Sequence, residues 1–108
     1  MNEQPFVAAL RARPGVLRLG NGGEMTTVRV EIPEQWDVVV VEASPETTVA
    51  EVKRAAVEAI LGADALPDEL VIKLNGFEVL NEQVSLSDAG AKNGSTFLAT
   101  YRRRRPVR

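Results

Sequence analysis

The sequence contains no cysteine and no histidine, and these two absences exclude several kinds of chemistry. Without cysteine the sequence can form no disulfide bond, thiolate nucleophile or cysteine-ligated metal site. Without histidine it can supply neither a Ser-His-Asp triad nor a histidine-ligated metal. We therefore expect a protein that is not an enzyme, holds no cofactor and has no small-molecule substrate.

The sequence also lacks a long apolar run and a targeting pattern. No run approaches the roughly 18 residues that a membrane helix needs. The opening segment MNEQPFVAALRARPG has no basic stretch followed by a long apolar one. At 108 residues the sequence is long enough for one domain and too short for two. These features predict one cytoplasmic domain without a membrane partner.

Charge is present in both signs but is unevenly placed. The net charge is −2. Residues 1–24 contribute +1, residues 25–101 contribute −8, and residues 102–108 contribute +5. The body of the chain is therefore acidic, whereas the segment that follows it is basic.

Residues 45–62, PETTVAEVKRAAVEAILG, have the pattern of one amphipathic helix. Thr48 and Glu51 have the spacing of a capping box, and Gly62 stands where a helix ends most easily. Because a helix of this length is marginal alone in water, it needs a sheet to cover its apolar face. We expect Lys53 to carry its charge on a solvated edge of this helix. Spacings of three and four place five apolar residues on one face: Val49, Val52, Ala56, Ala59 and Ile60.

The remaining sequence predicts short strands and turns. Strand patterns cover residues 27–32, 37–43, 70–74, 77–79 and 96–101. Asn75-Gly76 between apolar residues predicts a tight hairpin, because both central positions of such a turn need positive φ. A helix that crosses over between the second and third strands predicts an α+β fold, with a mixed sheet of four to five strands and one helix packed across it.

The same patterns predict which side chains are buried between the helix and the sheet. In the second strand, Val39, Val41 and Ala43 face the helix if Val38 and Val40 face outward. The predicted core contains Val28, Val30, Ile32, Val39, Val41, Val49, Val52, Ala56, Ile60, Leu70, Ile72, Leu86, Phe97 and Ala99.

Residues 1–24 are predicted to be a flexible N-terminal leader. Pro14-Gly15 interrupts a short helical pattern, and the glycines between residues 20 and 23 are costly to order. The alternative is a short docking helix that uses Phe6, Val7 and Leu10 as its apolar anchors.

The order of the elements and two local motifs resemble the ubiquitin-like β-grasp family. The segment SPETTVAEVK, residues 44–53, resembles the start of the helix in ubiquitin, and LNGFEVLNEQVSLSDAGAKNGSTFLATYR, residues 74–102, resembles the remainder of that fold. The stretch AGAKNGS, residues 89–95, also resembles bacterial ubiquitin-fold proteins of the YukD kind. The resemblance implies a ubiquitin-like domain over residues 25–102, between the leader and a basic C-terminal tail at residues 103–108.

Two differences from this family bear on function: the residues in place of the C-terminal Gly-Gly and those in place of the aliphatic contact patch. Conjugated and sulfur-carrying members end in Gly-Gly, whose carboxylate an activating enzyme adenylates. The corresponding residues here read RRRRPVR, with bulky side chains and a proline in place of the glycines. Ubiquitin also binds partners through an aliphatic patch, whose central isoleucine corresponds to Lys73 and whose last-strand valine corresponds to Thr100. The resemblance therefore implies that this surface is absent, or that it is rebuilt around Val38 and Val40.

We predict a non-catalytic protein-interaction module of a bacterial-type system that lacks a C-terminal Gly-Gly. Its partners would be other proteins, such as secretion components. The alternative is a modifier or carrier that an adenylating enzyme activates and that is conjugated to target proteins, with activating or conjugating enzymes as its partners. The candidate partner-binding residues are Val38, Val40, Lys73, Thr100, Tyr101, Arg102, Arg103, Arg104 and Arg105.

The arginine run also permits a nucleic-acid interpretation, because its cations can neutralise phosphates and Tyr101 can stack on a base. The acidic body opposes this interpretation. Charges within about 8 Å are only partly screened at physiological salt, so a polyanion near the run would be repelled. We therefore expect the run to lie in solvent or to dock on an acidic protein surface, this chain's own surface included, rather than on nucleic acid or lipid.

Overall fold

The computed structural model describes residues 11–13, 16–20 and 23–102 of the chain. Within these ranges no helix is long and apolar enough to cross a membrane. In chain order the elements are β1 (Arg11–Arg13), β2 (Val16–Leu19), β3 (Thr26–Ile32), a 3₁₀ turn (Pro33–Gln35), β4 (Asp37–Ala43), α1 (Val49–Leu61), a second 3₁₀ turn (Pro67–Glu69), β5 (Leu70–Leu74), β6 (Phe77–Glu78), α2 (Leu86–Ala89) and β7 (Thr96–Tyr101).

The strands form one mixed sheet, and α1 packs across one of its faces. The strand order is β1-β2-β4-β3-β7-β5-β6, with β3 antiparallel to β4 and parallel to β7. This arrangement confirms the predicted α+β fold. The predicted count of four to five strands is too low, because the described residues form seven. The two additional strands, β1 and β2, come from the segment that was predicted to be a leader.

The domain therefore begins before residue 25, and the leader prediction is wrong for residues 11–13 and 16–19. Strand β2 runs parallel to β4, with Leu17 opposite Val41 and Leu19 opposite Ala43. Leu17 is buried in the core, with only 5% of its surface exposed. An uncovered β4 would present a row of unpaired backbone groups, and β2 satisfies them. The anchors of the predicted docking helix, Phe6, Val7 and Leu10, lie outside the described residues, and Arg11–Arg13 at the end of that segment form β1 instead.

Both ends of α1 agree with the sequence. The Thr48 hydroxyl accepts a hydrogen bond from the Glu51 N–H, and the Glu51 carboxylate accepts one from the Thr48 N–H, each at 3.1 Å. This pair of contacts is the predicted capping box. At the other end the chain leaves the helix at Gly62, where φ is +103°, a value that side chains rarely tolerate. The predicted cap at Thr48 and the predicted end at Gly62 are therefore confirmed, whereas residues 45–47 of the predicted stretch precede the helix.

The core lies between α1 and the sheet, and its predicted members are buried with one exception. Ile60 is only partly buried, because it lies in the last turn of α1 and contacts the margin of the core. Phe97 is among the largest of the fully buried side chains. The cluster also includes buried residues that were not on the predicted list: Leu17, Ala43, Val57, Leu74 and Ala91.

Lys53 is buried, contrary to the prediction that it is solvated. Only 1% of the residue is exposed, and its amine donates hydrogen bonds to the two Glu82 carboxylate oxygens at 2.9 and 3.1 Å. The backbone holds this partner in place, because the Ala50 N–H donates to the Glu82 carbonyl at 2.8 Å. A buried ammonium group needs such a partner. Its burial also removes Lys53 from the amines that a modifying enzyme can reach.

Candidate protein-binding surface

The face of the sheet opposite α1, here called the outer face, carries the alternate side chains of each strand. Cross-strand pairing places Val38 beside Glu31, Glu31 beside Leu98, and Leu98 beside Lys73. One row therefore crosses four strands. Because neighbouring strands lie about 4.8 Å apart, the row spans about 14 Å from Val38 to Lys73. The predicted contact residues of β4 and β5 consequently belong to one continuous surface.

The two valines of β4 differ in accessibility. Val38 is 38% exposed near the start of the strand. Val40 points to the same face but is half-buried, because Val16 of β2 pairs directly beside it. Val16 is itself 8% exposed. The additional strand β2 therefore leaves Val38 as the more accessible member of the predicted pair.

Lys73 and Thr100 lie on the outer face of β5 and β7. Val71 pairs with Thr100, and Lys73 pairs with Leu98, so Lys73 and Thr100 are diagonal neighbours. Both residues line an open hollow of about 600 Å³ at this end of the sheet. Glu34, Glu78 and Arg102 are further charged residues of its lining. This side of the outer face is consequently polar.

Tyr101 and Arg102 line the same hollow as Lys73 and Thr100 but lie at the end of β7. Alternation along β7 puts Tyr101 on the side of Phe97 and Ala99, and it remains 41% exposed at the end of the strand. The Arg102 N–H donates to the Glu69 carbonyl at 2.8 Å, and its Nε donates to the Asp68 carbonyl at 2.7 Å. Arg102 is therefore fixed against the second 3₁₀ turn. The predicted contacts Arg103, Arg104 and Arg105 lie outside the described residues.

Trp36 is the most exposed of the large apolar residues in the described part of the chain, and the sequence analysis did not name it. Its side chain is 95% exposed in the turn between β3 and β4. The backbone is left-handed at this position, with φ +54°, and the Trp36 N–H donates to the Pro33 carbonyl at 3.0 Å. The sequence contained a signal for this exposure. The only tryptophan of the chain follows Pro33-Glu34-Gln35 between two strand patterns, where a turn keeps it away from the core.

Carboxylates surround this exposed indole. Trp36 lines an open hollow of about 420 Å³ with Glu31, Pro33, Asp37 and Val38. Glu34 lies in the adjoining 3₁₀ turn. The ion pairs within the described part of the chain are Arg18–Glu42 and Lys53–Glu82, so none of these three carboxylates is in an ion pair there. We refer to residues Glu31, Pro33, Glu34, Trp36, Asp37 and Val38 as the Trp36 platform.

The platform combines an accessible aromatic ring with net negative charge. Such a surface suits a partner that brings apolar area or a cation to the ring. Among the described residues, no group of three or more metal-ligating side chains is placed to hold a metal ion.

Comparison with known proteins identifies the fold. No protein-family model matches the chain, and no significant sequence similarity to a curated protein was found. Among solved structures, the chain is similar to ubiquitin of Caldiarchaeum subterraneum, with 19% identity over 77% of this chain and 100% of that protein and a TM-score of 0.63. It is also similar to the C-terminal ubiquitin-like domain of mouse tubulin-specific chaperone e, with 18% identity over 82% of this chain and 97% of that domain and a TM-score of 0.62. A ubiquitin-like domain of an Arabidopsis thaliana protein gives 15% identity, coverage of 82% and 89%, and a TM-score of 0.61. These similarities show that the chain has the ubiquitin-like β-grasp fold.

Proposed function

We propose that this chain is a non-catalytic protein-interaction module and that the Trp36 platform is its main contact with partner proteins. The observation that carries the proposal is the 95% exposure of Trp36 on a turn between two paired strands. A tryptophan side chain offers roughly 200 Å² of surface. At about 25 cal/mol per Å², covering it contributes up to about 5 kcal/mol before the costs of association.

The surroundings of Trp36 match the usual organisation of a binding surface. Val38 extends the apolar area beside the ring, and Glu31, Lys73 and Thr100 supply polar groups further along the outer face. Interfaces commonly place an aromatic residue in the middle of a polar rim, and tryptophan is enriched among the residues that dominate affinity. The sheet fixes these positions before binding, which lowers the ordering cost.

The cellular setting of the module is part of the proposal. The resemblance of residues 89–95 to YukD-like proteins supports a bacterial-type system in the cytoplasm. Arg102, Pro106 and Val107 stand in the stretch where conjugated members of the ubiquitin-like family carry Gly-Gly. Their bulk supports noncovalent binding over activation by an adenylating enzyme.

A photo-crosslinking residue placed at Glu34, in the turn next to Trp36, tests the contact in the cells that make the protein and leaves Trp36 in place. We expect it to capture a discrete protein, whereas the same residue at Glu58, which is exposed on α1, captures none. The captured protein is then purified, and its affinity for the unmodified chain is measured by calorimetry. Trp36→Ala should weaken this affinity at least about tenfold, which corresponds to 1.4 kcal/mol.

Leu80→Ala is the matched control, because Leu80 is an apolar side chain that is 85% exposed and lies away from the platform. Its affinity should stay within about twofold of the original, a change of less than 0.5 kcal/mol. Equal losses for Leu80→Ala and Trp36→Ala, or no loss for Trp36→Ala, would contradict the proposal. Intact mass from the same cells tests the modifier alternative. A ladder of covalent adducts would replace the interaction module with a conjugated modifier.

A further inference from the structure

The chain leaves the sheet beside the Trp36 platform. Because β3 and β7 are parallel, the C-terminal end of β7 and the turn Pro33–Gln35, which follows β3, lie at the same end of the strands. This turn packs against β7. Glu34 and Arg102 line the same hollow. Arg102, the last of the described residues, therefore lies close to Glu34 of the platform.

The residues that follow Arg102 and the Trp36 platform have opposite net charge. Residues 103–108, here called the basic segment, contain four arginines and no acidic residue. The platform contains Glu31, Glu34 and Asp37 and no basic residue. Complementary charges favour binding of a basic segment to an acidic surface over binding of a neutral or acidic one. An arginine is also the cation that stacks best on an aromatic ring, because its guanidinium group is planar.

We propose that the basic segment of this chain binds the Trp36 platform, with a guanidinium group over the indole ring and others beside Glu31, Glu34 and Asp37. Six residues reach about 20 Å when extended. Trp36 lies in the hairpin of β3, the strand next to β7, so the lateral distance is about 5 to 10 Å. The reach of the segment therefore exceeds this separation.

The covalent connection strengthens the contact. Arg102 is held by two hydrogen bonds to the second 3₁₀ turn, so the basic segment starts from a fixed point. A short tether of this kind gives an effective concentration of the order of millimolar. The basic segment is then an internal ligand, and a partner that uses Trp36 has to displace it. The contact needs no partner, so it stands independently of the proposed function.

Trp36 itself reports the contact, because it is the only tryptophan in the sequence. The experiment measures quenching of its fluorescence by acrylamide, which is uncharged, in the full chain and in a chain without residues 103–108. We expect a quenching constant about twofold higher in the shortened chain, since the arginine no longer covers the ring. At about 1 M salt, where the Debye length falls to about 3 Å, the full chain should approach the value of the shortened one.

Two matched controls separate binding from other effects of the deletion. The peptide RRRPVR added to the shortened chain should restore the low quenching constant, whereas QQQPVQ should not. The triple variant Glu31→Gln, Glu34→Gln, Asp37→Asn should show the same quenching constant with and without the basic segment. An unchanged urea midpoint for each variant shows that the fold is intact.

Two results would overturn the proposal. One is an equal quenching constant in the full and shortened chains at low salt. The other is protection of Trp36 that grows with protein concentration, which would assign the contact to a second copy of the chain. Loss of partner binding in Trp36→Ala tests the proposed function and leaves the internal contact to be judged by fluorescence alone.

Discussion

The two faces of the sheet are made by the same strands, yet their side chains differ in exposure. On the side of α1, Val30 and Phe97 are completely buried in an apolar core. On the outer face, their neighbours Glu31 and Leu98 pair across β3 and β7 and remain partly accessible. Burial of apolar area is the main source of stability, whereas accessible side chains are what a partner can contact. Stability and recognition should therefore respond to different substitutions.

The two ion pairs of the described residues show the same contrast on a smaller scale. Lys53 and Glu82 approach to 2.9 Å, with side-chain exposures of 2% and 20%. Arg18 and Glu42 are 3.6 Å apart on the outer face, with exposures of 48% and 15%. Losing one partner of the first pair leaves a charge with little access to water, whereas the released Arg18 can be hydrated. The degree of burial therefore determines how much each ion pair contributes to the stability of the fold.

The largest loss of stability is expected when a core residue of β7 is truncated. Phe97→Ala should lower the free energy of unfolding by about 3 to 5 kcal/mol, because it removes a large side chain and leaves a cavity. Leu98→Ala, on the next residue and the outer face, should cost about 1 kcal/mol, since Leu98 is only partly buried. Urea unfolding measures both. Equal losses would contradict the assignment of stability to the face that meets α1.

The second largest loss of stability is expected in β2, and it tests whether this strand belongs to the folded domain. Leu17→Ala should lower the free energy of unfolding by about 2 to 3 kcal/mol, near the low end for buried leucines because β2 lies near the edge of the sheet. Arg18→Ala in the same strand is the exposed control. A loss below about 0.5 kcal/mol for Leu17→Ala in urea unfolding would show that β2 packs on the domain without stabilising it.

A somewhat smaller loss is expected at the buried ion pair. Lys53→Met should cost about 2 kcal/mol, less than the 3 to 5 kcal/mol of fully buried pairs, because Glu82 keeps some contact with water. Adding Glu82→Leu should recover most of that loss, since no charge then stays unpaired. The double-mutant cycle measures this coupling. Additive losses for the two substitutions would contradict the direct pairing of Lys53 with Glu82.

The exposed ion pair should contribute little. Arg18→Gln should change the free energy of unfolding by less than about 1 kcal/mol, and the difference should shrink as salt is added. The Lys53→Met difference should be far less sensitive to salt, because that pair is shielded from ions. Urea unfolding at low and high salt measures both differences. A strong salt dependence at Lys53 alone would reverse the comparison of the two pairs.

The smallest effect on stability is expected at Trp36. Trp36→Ala should change the free energy of unfolding by no more than about 0.5 kcal/mol, because the ring makes little contact with the core. The same substitution should have the large effect on partner binding described above. A loss of several kcal/mol in urea would show that Trp36 supports the fold, and its exposure would then carry no argument for recognition.

Local features of the fold were predictable because neighbouring residues determine them. The capping box needs only Thr48 and Glu51 at a spacing of three. The hairpin at Asn75-Gly76 follows from residue type, and both positions have positive φ, +55° and +87°. Alternation along β3, β4 and β7 gave the face that each side chain occupies. Of the candidate contacts, Val38 was placed on the outer face for the same reason, whereas Thr100 was named from the resemblance to ubiquitin.

The missed features depend on segments that are distant in the sequence. The segment of β2 is short and flanked by glycine and proline, so it reads as a linker until the exposed edge of β4 gives it hydrogen-bond partners. Lys53 is buried because the loop with Glu82, 29 residues later, closes over it. Val40 is half-buried because Val16 lies beside it. Each outcome requires a pairing that local patterns do not specify.

The sequence by itself determined most elements of this protein: one capped helix, five strands and the tight turn at Asn75-Gly76, whose order implied the β-grasp. It did so because caps, turns and alternation act over a few residues. Only the tertiary structure decided that β2 closes one edge of the sheet, that Lys53 is buried with Glu82, and that Trp36 stands exposed beside three carboxylates. These three features depend on contacts between segments that are distant in the sequence. Such contacts bury some side chains and leave others exposed to water.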